Sequence, residues 1–76
     1  MNINQLIISS KDILGGIPVF LGTRVPIKNL FDYLQAGDCL DDFLEDFPAV
    51  SREQSLQVLQ LAQQMLLGQD YATVVR

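Results

Sequence analysis

Few residues of this chain could do chemistry. It contains no histidine, and its single cysteine is Cys39. An enzyme needs an activated nucleophile, an acid–base pair or a bound cofactor. Cys39 stands at the predicted start of a helix, a position that favours a thiolate, but Asp38, Asp41 and Asp42 surround it and oppose a negative sulfur. We therefore expect an inert thiol, no catalytic residue and no enzymatic activity.

The acidic cluster between Asp38 and Asp46 is a second group that could bind a ligand. Five of the nine acidic residues fall within it. It lacks the alternating oxygen ligands and the central glycine of a calcium loop, so a solvated helix face is the simpler interpretation. With no histidine and one cysteine, a zinc site is not expected either. The sequence therefore predicts no metal and no cofactor.

Arg24 is the charged residue with the most unusual setting, because it lies in an apolar stretch between Gly22-Thr23 and Val25-Pro26. A guanidinium there could contact a phosphate or a carboxylate of a partner. It could equally brace the turn by donating to backbone carbonyls or to a carboxylate such as Asp32. We expect the bracing role to dominate.

Candidate contacts with nucleic acid or a partner protein come from the basic residues and from the glutamines of the last helix. They are Arg24, Lys28, Arg52, Gln54 and Gln57. Glutamine near the start of a recognition helix can form hydrogen bonds to the edge of adenine in the major groove. Glutamine is also an uncharged helix former that is common on solvent-exposed surfaces. With 5 basic and 9 acidic residues, the net charge of −4 opposes strong nucleic-acid binding. Any DNA binding is expected to be weak.

The elements that position these residues follow from apolar spacing. Residues 5–8 and 18–21 are predicted to be short strands, with a turn at Gly22-Thr23. The first helix is predicted to have Pro26 as its first residue and to end before Gly37. Its apolar face repeats at i, i+3, i+4 and i+7, through Ile27, Leu30, Phe31 and Leu34.

Two further helices follow. The second begins after Cys39 and ends at Pro48, with the same apolar spacing. The third begins at Ser51, which has capping-box spacing to Gln54, and ends at Gly68. Together these elements predict a mainly α fold, a three-helix bundle with helix-turn-helix spacing and a short β element in front of it.

The chain is expected to form a single domain over residues 1–76. Its parts are a β/turn arm at 1–25, a three-helix core at 26–67 and a tail at 68–76. Apolar runs are no longer than three residues, too short for a membrane span or a secretory signal. A cytoplasmic location is therefore expected.

Four short sequence motifs resemble the bacterial domain of unknown function 433 family, and the resemblance covers about residues 7–62. They are Gly15-Gly16-Ile17-Pro18-Val19, Gly22-Thr23-Arg24-Val25-Pro26, Leu34-Gln35-Ala36-Gly37 and Leu44-Glu45-Asp46-Phe47-Pro48. The resemblance implies a homeodomain-like three-helix fold after a small β element. It also implies an antitoxin role beside a PIN-like nuclease toxin. The chain departs from the usual pattern at Lys11, Ile17 and Cys39, and its third helix is poor in basic residues.

Two functions are expected from these observations. The first is an antitoxin-like module that binds a nuclease toxin through apolar surface and binds promoter DNA weakly. The second is an oligomeric interaction domain with no nucleic-acid role. The third helix has eight apolar positions, more than a small core can cover, so we expect a homodimer or higher oligomer. The candidate seam is Leu59, Met65 and Leu66. Basic residues gathered on one face would favour the first function, and scattered ones the second.

Overall fold

The computed structural model describes residues 5–68, in which three helices follow a short two-stranded sheet. The elements are β1 (Ile7–Ile8), β2 (Val19–Phe20), α1 (Ile27–Gln35), α2 (Leu40–Asp46) and α3 (Arg52–Leu67), with a 3-10 turn at Leu14–Gly16 between the strands. The mainly α class with a short β element is therefore confirmed. Residues 69–76, which make up almost all of the predicted tail, lie outside the described residues.

The β element is a short pair of antiparallel strands. Ile7 of β1 lies opposite Phe20 of β2, so both strands are shorter than the sequence predicts. The chain then turns at Gly22, whose φ of +81° suits glycine, and runs back along β2. The Phe20 amide donates to the Val25 carbonyl at 3.0 Å, and the Ile27 amide donates to the Pro18 carbonyl at 3.0 Å. We refer to residues 18–27 as the ribbon.

Helix α1 begins one residue later than predicted. Pro26 is its N-cap and not its first helical residue, because its ψ of 138° is extended. That conformation lets Pro26 bridge to Val19 and close the ribbon. The predicted end is confirmed, since Gly37 has a φ of +93° and its amide donates to the Leu34 carbonyl at 3.1 Å.

The starts of α2 and α3 agree with the sequence. The Cys39 amide donates to the Asp42 carboxylate at 3.2 Å, which caps α2. At α3 the capping box is complete. The Ser51 hydroxyl accepts from the Gln54 amide at 3.0 Å, and the Gln54 side chain accepts from the Ser51 amide at 3.0 Å. Residues 47–51 connect the two helices.

The core draws on every part of the described chain. Its buried apolar residues are Leu6, Phe20, Leu30, Phe43, Val50 and Val58. The Phe43 ring lies at its centre, with ring centroids 6.0 Å from Phe20, 5.5 Å from Tyr33 and 5.1 Å from Phe47. Because Leu6 and Phe20 belong to this core, the segment predicted as an arm is an integral part of the fold.

Helix α3 is only partly covered by the other residues between 5 and 68. At 1.5 Å per residue its 16 residues span about 24 Å. Its first half packs inward, where Ser55 and Val58 are buried, whereas Leu67 near its end is 72% exposed. Leu59, one of the predicted seam residues, is partly buried against the core, and its role in a seam stays a prediction. The sequence of α3 alone shows that two of its faces are apolar. It does not show which of these faces packs against the core.

Candidate protein-interaction groove

An apolar groove of about 600 Å³ opens between the ribbon, α1 and α3. Its walls come from β1 and the residues before β2, from the start of α1, and from the middle of α3. The lining residues are Ile7, Ile17, Pro18, Pro26, Ile27, Lys28, Asn29, Phe31, Val58, Leu61, Ala62 and Met65. We refer to this surface as the groove.

Local structure explains why these side chains converge. On α3 the lining positions are spaced at i, i+3, i+4 and i+7 from Val58, which is one face of a helix. On α1, Ile27 and Phe31 are one turn apart and face the same way. The two prolines of the ribbon, Pro18 and Pro26, have fixed φ angles and form a rigid third wall. The groove is therefore built by regular elements and is preformed.

The chemistry of the groove is that of a binding surface. Only Lys28 and Asn29 among its lining residues are polar, and none of them is a carboxylate, thiol or hydroxyl. Such a lining removes apolar side chains of a ligand from water.

Two of the predicted cationic contacts are already paired within the chain. The Lys28 ammonium lies 2.7 Å from the Asp32 carboxylate, one turn along α1. The Arg52 guanidinium forms an ion pair with Asp41, which joins the start of α3 to α2. Both pairs are surface-exposed, and exposed ion pairs are weak, so each cation can exchange its partner for another anion.

Arg24 does not have the bracing role that the sequence predicts. Its side chain is exposed and makes no hydrogen bond or ion pair with any residue between 5 and 68. Thr23 braces the turn in its place. Its hydroxyl donates to the Phe20 carbonyl at 2.8 Å and accepts from the Val25 amide at 3.0 Å. Asp32, the expected carboxylate partner, is paired with Lys28, which is closer to it in sequence.

Gln54 has a structural role that the sequence does not reveal. Its side-chain amide donates to the Leu21 carbonyl at 3.1 Å, while the amide oxygen completes the α3 cap. Both ends of the side chain are thus hydrogen-bonded within the protein, so Gln54 braces α3 against the ribbon, and its role in contacting a partner stays a prediction. Gln57, one turn along α3, is half-buried and has no such hydrogen bond in the described part of the chain.

A hydrogen bond between Tyr33 and Asp46 links α1 to α2. The phenol donates to the carboxylate at 2.5 Å. That bond raises the pKa of Tyr33 above its usual value, because it favours the protonated phenol, and burial and the nearby charges of Asp46, Asp38 and Asp42 act in the same direction. The pair lies outside the groove lining and stabilises the helix packing.

Cys39 and the acidic cluster do not form a site in the structure. Cys39 is exposed, and its thiol donates to the Asp42 carboxylate at 3.2 Å. Within residues 5–68, no three histidine, cysteine or acidic side chains are placed to hold a metal ion together. No helix in the same range is long and apolar enough to cross a membrane.

The family of the chain follows from a match that covers most of its length. The profile of a protein of unknown function, DUF433, matches residues 7–62. This chain belongs to the DUF433 family. The matched range includes the ribbon, α1, α2 and every lining residue of the groove except Met65. The groove is therefore made almost entirely by the DUF433 portion.

This DUF433 chain is also similar in sequence to a curated protein. An uncharacterized protein called y4eO, from Sinorhizobium fredii (strain NBRC 101917 / NGR234), is 41% identical over 49 residues. The alignment covers 64% of this chain and 22% of that protein, so the chain spans about a fifth of the relative's length. No solved structure matches the chain significantly.

Proposed function

We propose that this DUF433 chain is a small, non-enzymatic, antitoxin-like module of the cytoplasm that binds a partner protein through the groove. The groove is the observation that carries the proposal, because it is preformed and almost wholly apolar. The family resemblance supplies the partner class, a PIN-like nuclease toxin. The chain acts on that partner by covering its surface, without chemistry of its own.

Hydrophobic burial supports this role. Each aliphatic side chain that a partner buries fully in such a groove contributes about 1.5–3 kcal/mol. Two or three anchoring side chains therefore supply the larger part of a specific affinity. Because the walls are two helices and a proline-bordered ribbon, little conformational entropy is lost when the partner binds.

The promoter-binding part of the proposal is minor. Helix α3 follows α2 with the spacing of a recognition helix, yet Arg52 at its start is paired with Asp41 and Gln54 is hydrogen-bonded to Leu21. Glu53 adds an acidic group at the same place. We propose that DNA is bound weakly and without the side-chain code of a dedicated recognition helix.

Self-association is the second candidate function, and the outer side of α3 favours it. Leu56 is 50% exposed and Leu67 is 72% exposed, and Leu66 lies beside them. Apolar surface gathered on one helix is characteristic of an interface. A symmetric homodimer is the simplest assembly that covers it.

The test of the leading function compares two charged variants of α3. In Ala62→Glu a carboxylate enters the groove wall, whereas in Gln60→Glu the same group is added to the exposed opposite side of the helix. The genes next to that of this protein are searched for a PIN-like nuclease, and each variant is coexpressed with it. Size-exclusion chromatography measures formation of the complex, and an RNA cleavage assay measures suppression of the nuclease.

We expect the wild type and Gln60→Glu to form the complex and suppress cleavage, and Ala62→Glu to do neither. Circular dichroism checks that all three remain folded. If Ala62→Glu binds like the wild type, the groove is not the interface. If the wild type forms no complex, the antitoxin assignment is wrong.

A further inference from the structure

We propose that Arg24 is the charged anchor of the groove and holds a carboxylate of the bound segment. On this inference, which rests on the proposed function, the groove takes an apolar segment flanked by acidic residues. The groove lining selects the apolar part of the bound segment, and Arg24 selects its charge.

The ribbon places Arg24 close to the groove. Val25 packs against the core, and Pro26 lines the groove. Arg24 is two residues before Pro26, so their α-carbons are at most about 7 Å apart. A side chain as long as arginine reaches the border of the groove from that position.

The turn that carries Arg24 is held firmly. Three hydrogen bonds, from the Thr23 amide and hydroxyl to the Phe20 carbonyl and from the Val25 amide to the Thr23 hydroxyl, fix its backbone. The guanidinium itself has no partner within the described residues and is exposed. The backbone at Arg24 is therefore ordered before a partner binds, so binding has to order only the arginine side chain.

The groove lining contains no acidic residue, although the chain as a whole is acidic. The net charge is −4, yet no acidic residue lines the groove, and its single charged lining residue is Lys28. The acidic cluster at 38–46 lies on α2 and the loop before it, and no α2 residue contributes to the lining. Lys28 is paired with Asp32, but an exposed pair within one helix is weak and exchanges readily with a new carboxylate.

A carboxylate is favoured over a phosphate backbone as the ligand of Arg24. Arginine binds both in a bidentate manner, so the guanidinium alone does not decide between them. The neighbouring surface decides, because a nucleic-acid strand would leave its charged backbone against an apolar wall. A protein segment with an apolar face and acidic flanks matches both the wall and the arginine.

The test uses the full chain and two labelled synthetic peptides of the same length. Both carry one leucine–isoleucine stripe at helical spacing, and their flanking residues are either glutamates or lysines. Binding is measured by fluorescence anisotropy at low salt. We expect the glutamate peptide to bind about tenfold more tightly to the wild type. Arg24→Gln should lose most of that preference and Arg24→Lys about half, whereas Arg52→Gln, the matched control, should keep it.

Three results would overturn the inference. Equal binding of the two peptides, or no binding of either, removes the acidic preference. If Arg24→Gln and Arg52→Gln weaken the preference for the glutamate peptide equally, that preference comes from the overall charge of the protein and not from Arg24. Tighter binding of a single-stranded oligonucleotide that Arg24→Gln abolishes would assign Arg24 to nucleic acid. In each case the nuclease complex of Gln60→Glu and its loss in Ala62→Glu still decide the proposed function separately.

Discussion

The side-chain amide of Gln54 in α3 donates to the main-chain carbonyl of Leu21 in the ribbon at 3.1 Å. The same side chain accepts from the Ser51 amide and so caps α3. One residue therefore starts the helix and ties it to the ribbon. Since both elements are walls of the groove, this contact sets the spacing of the site.

Gln54→Ala should destabilise the fold. It removes two hydrogen bonds, and we expect the free energy of unfolding to fall by about 1–2 kcal/mol. Gln54→Glu retains an acceptor for Ser51 but cannot donate to Leu21, so its loss should be smaller and should isolate the tie to the ribbon. Urea denaturation measures both. Gln57→Ala, one turn away, is the control and should lie within about 0.5 kcal/mol of the wild type. Identical curves for all variants would show that the contact contributes nothing.

The hydrogen bond between Tyr33 and Asp46 predicts a loss of stability in alkali. The pKa of Tyr33 is raised in the folded state, chiefly by this bond, so the folded protein holds the phenolic proton more tightly than the unfolded chain does. The resulting stability is fully present below the unfolded pKa of about 10 and is lost as the pH rises through the folded value.

The measurement is the urea midpoint between pH 8 and pH 11. Tyr33→Phe should be less stable than the wild type at pH 8, and the gap should narrow as the pH rises. Asp46→Asn, which removes the charged acceptor, should weaken the same pH dependence. A wild type and a Tyr33→Phe variant with parallel profiles would contradict the assignment.

Self-association is predicted from the uncovered side of α3. Light scattering at micromolar concentration should give about twice the chain mass of 8.5 kDa. Leu67→Glu should restore the monomer, because a charge at this exposed position blocks an apolar interface. Gln57→Glu adds the same charge to another side of the helix and should not. A wild-type mass near 8.5 kDa would rule out the dimer.

DNA binding should be weak and sensitive to salt. The available cations of one described protomer are Lys11, Arg24, Lys28 and Arg52, and two of them are already in ion pairs. Each phosphate contact contributes a slope of about −0.9 in log affinity against log salt, so one protomer should not exceed about −4. A gel shift on the region upstream of the gene tests this. Tight, sequence-specific binding at physiological salt would show that the glutamines of α3 read bases.

Helix ends were predictable because they depend on neighbouring residues. Ser51 with Gln54, Cys39 before α2 and Gly37 after α1 each act within one turn. Pro26 was misplaced by one position because a contact distant in sequence, its bridge to Val19, fixes its backbone.

The groove was not predictable from sequence periodicity. It joins Ile7, Pro18, Ile27 and Leu61, which belong to four separate segments and meet only in the tertiary structure. Arg24 was predicted to brace the turn of the ribbon, but Thr23 does so. Gln54, which lies 33 residues from Leu21 along the chain, ties the ribbon to α3. Hydrogen bonds between distant segments depend on which side chain lies near a given carbonyl in the packed structure. The spacing of residues in the sequence does not predict this.

The central claim, that the groove is the partner interface, is tested most directly by amide chemical-shift mapping. The labelled 76-residue chain is titrated with the unlabelled nuclease. We expect the largest shifts at residues 17–18, 24–31 and 58–65, which contain Arg24 and most of the lining of the groove. Shifts confined to the corner between α2 and α3, around Asp41 and Arg52, would place the interface elsewhere and contradict the claim.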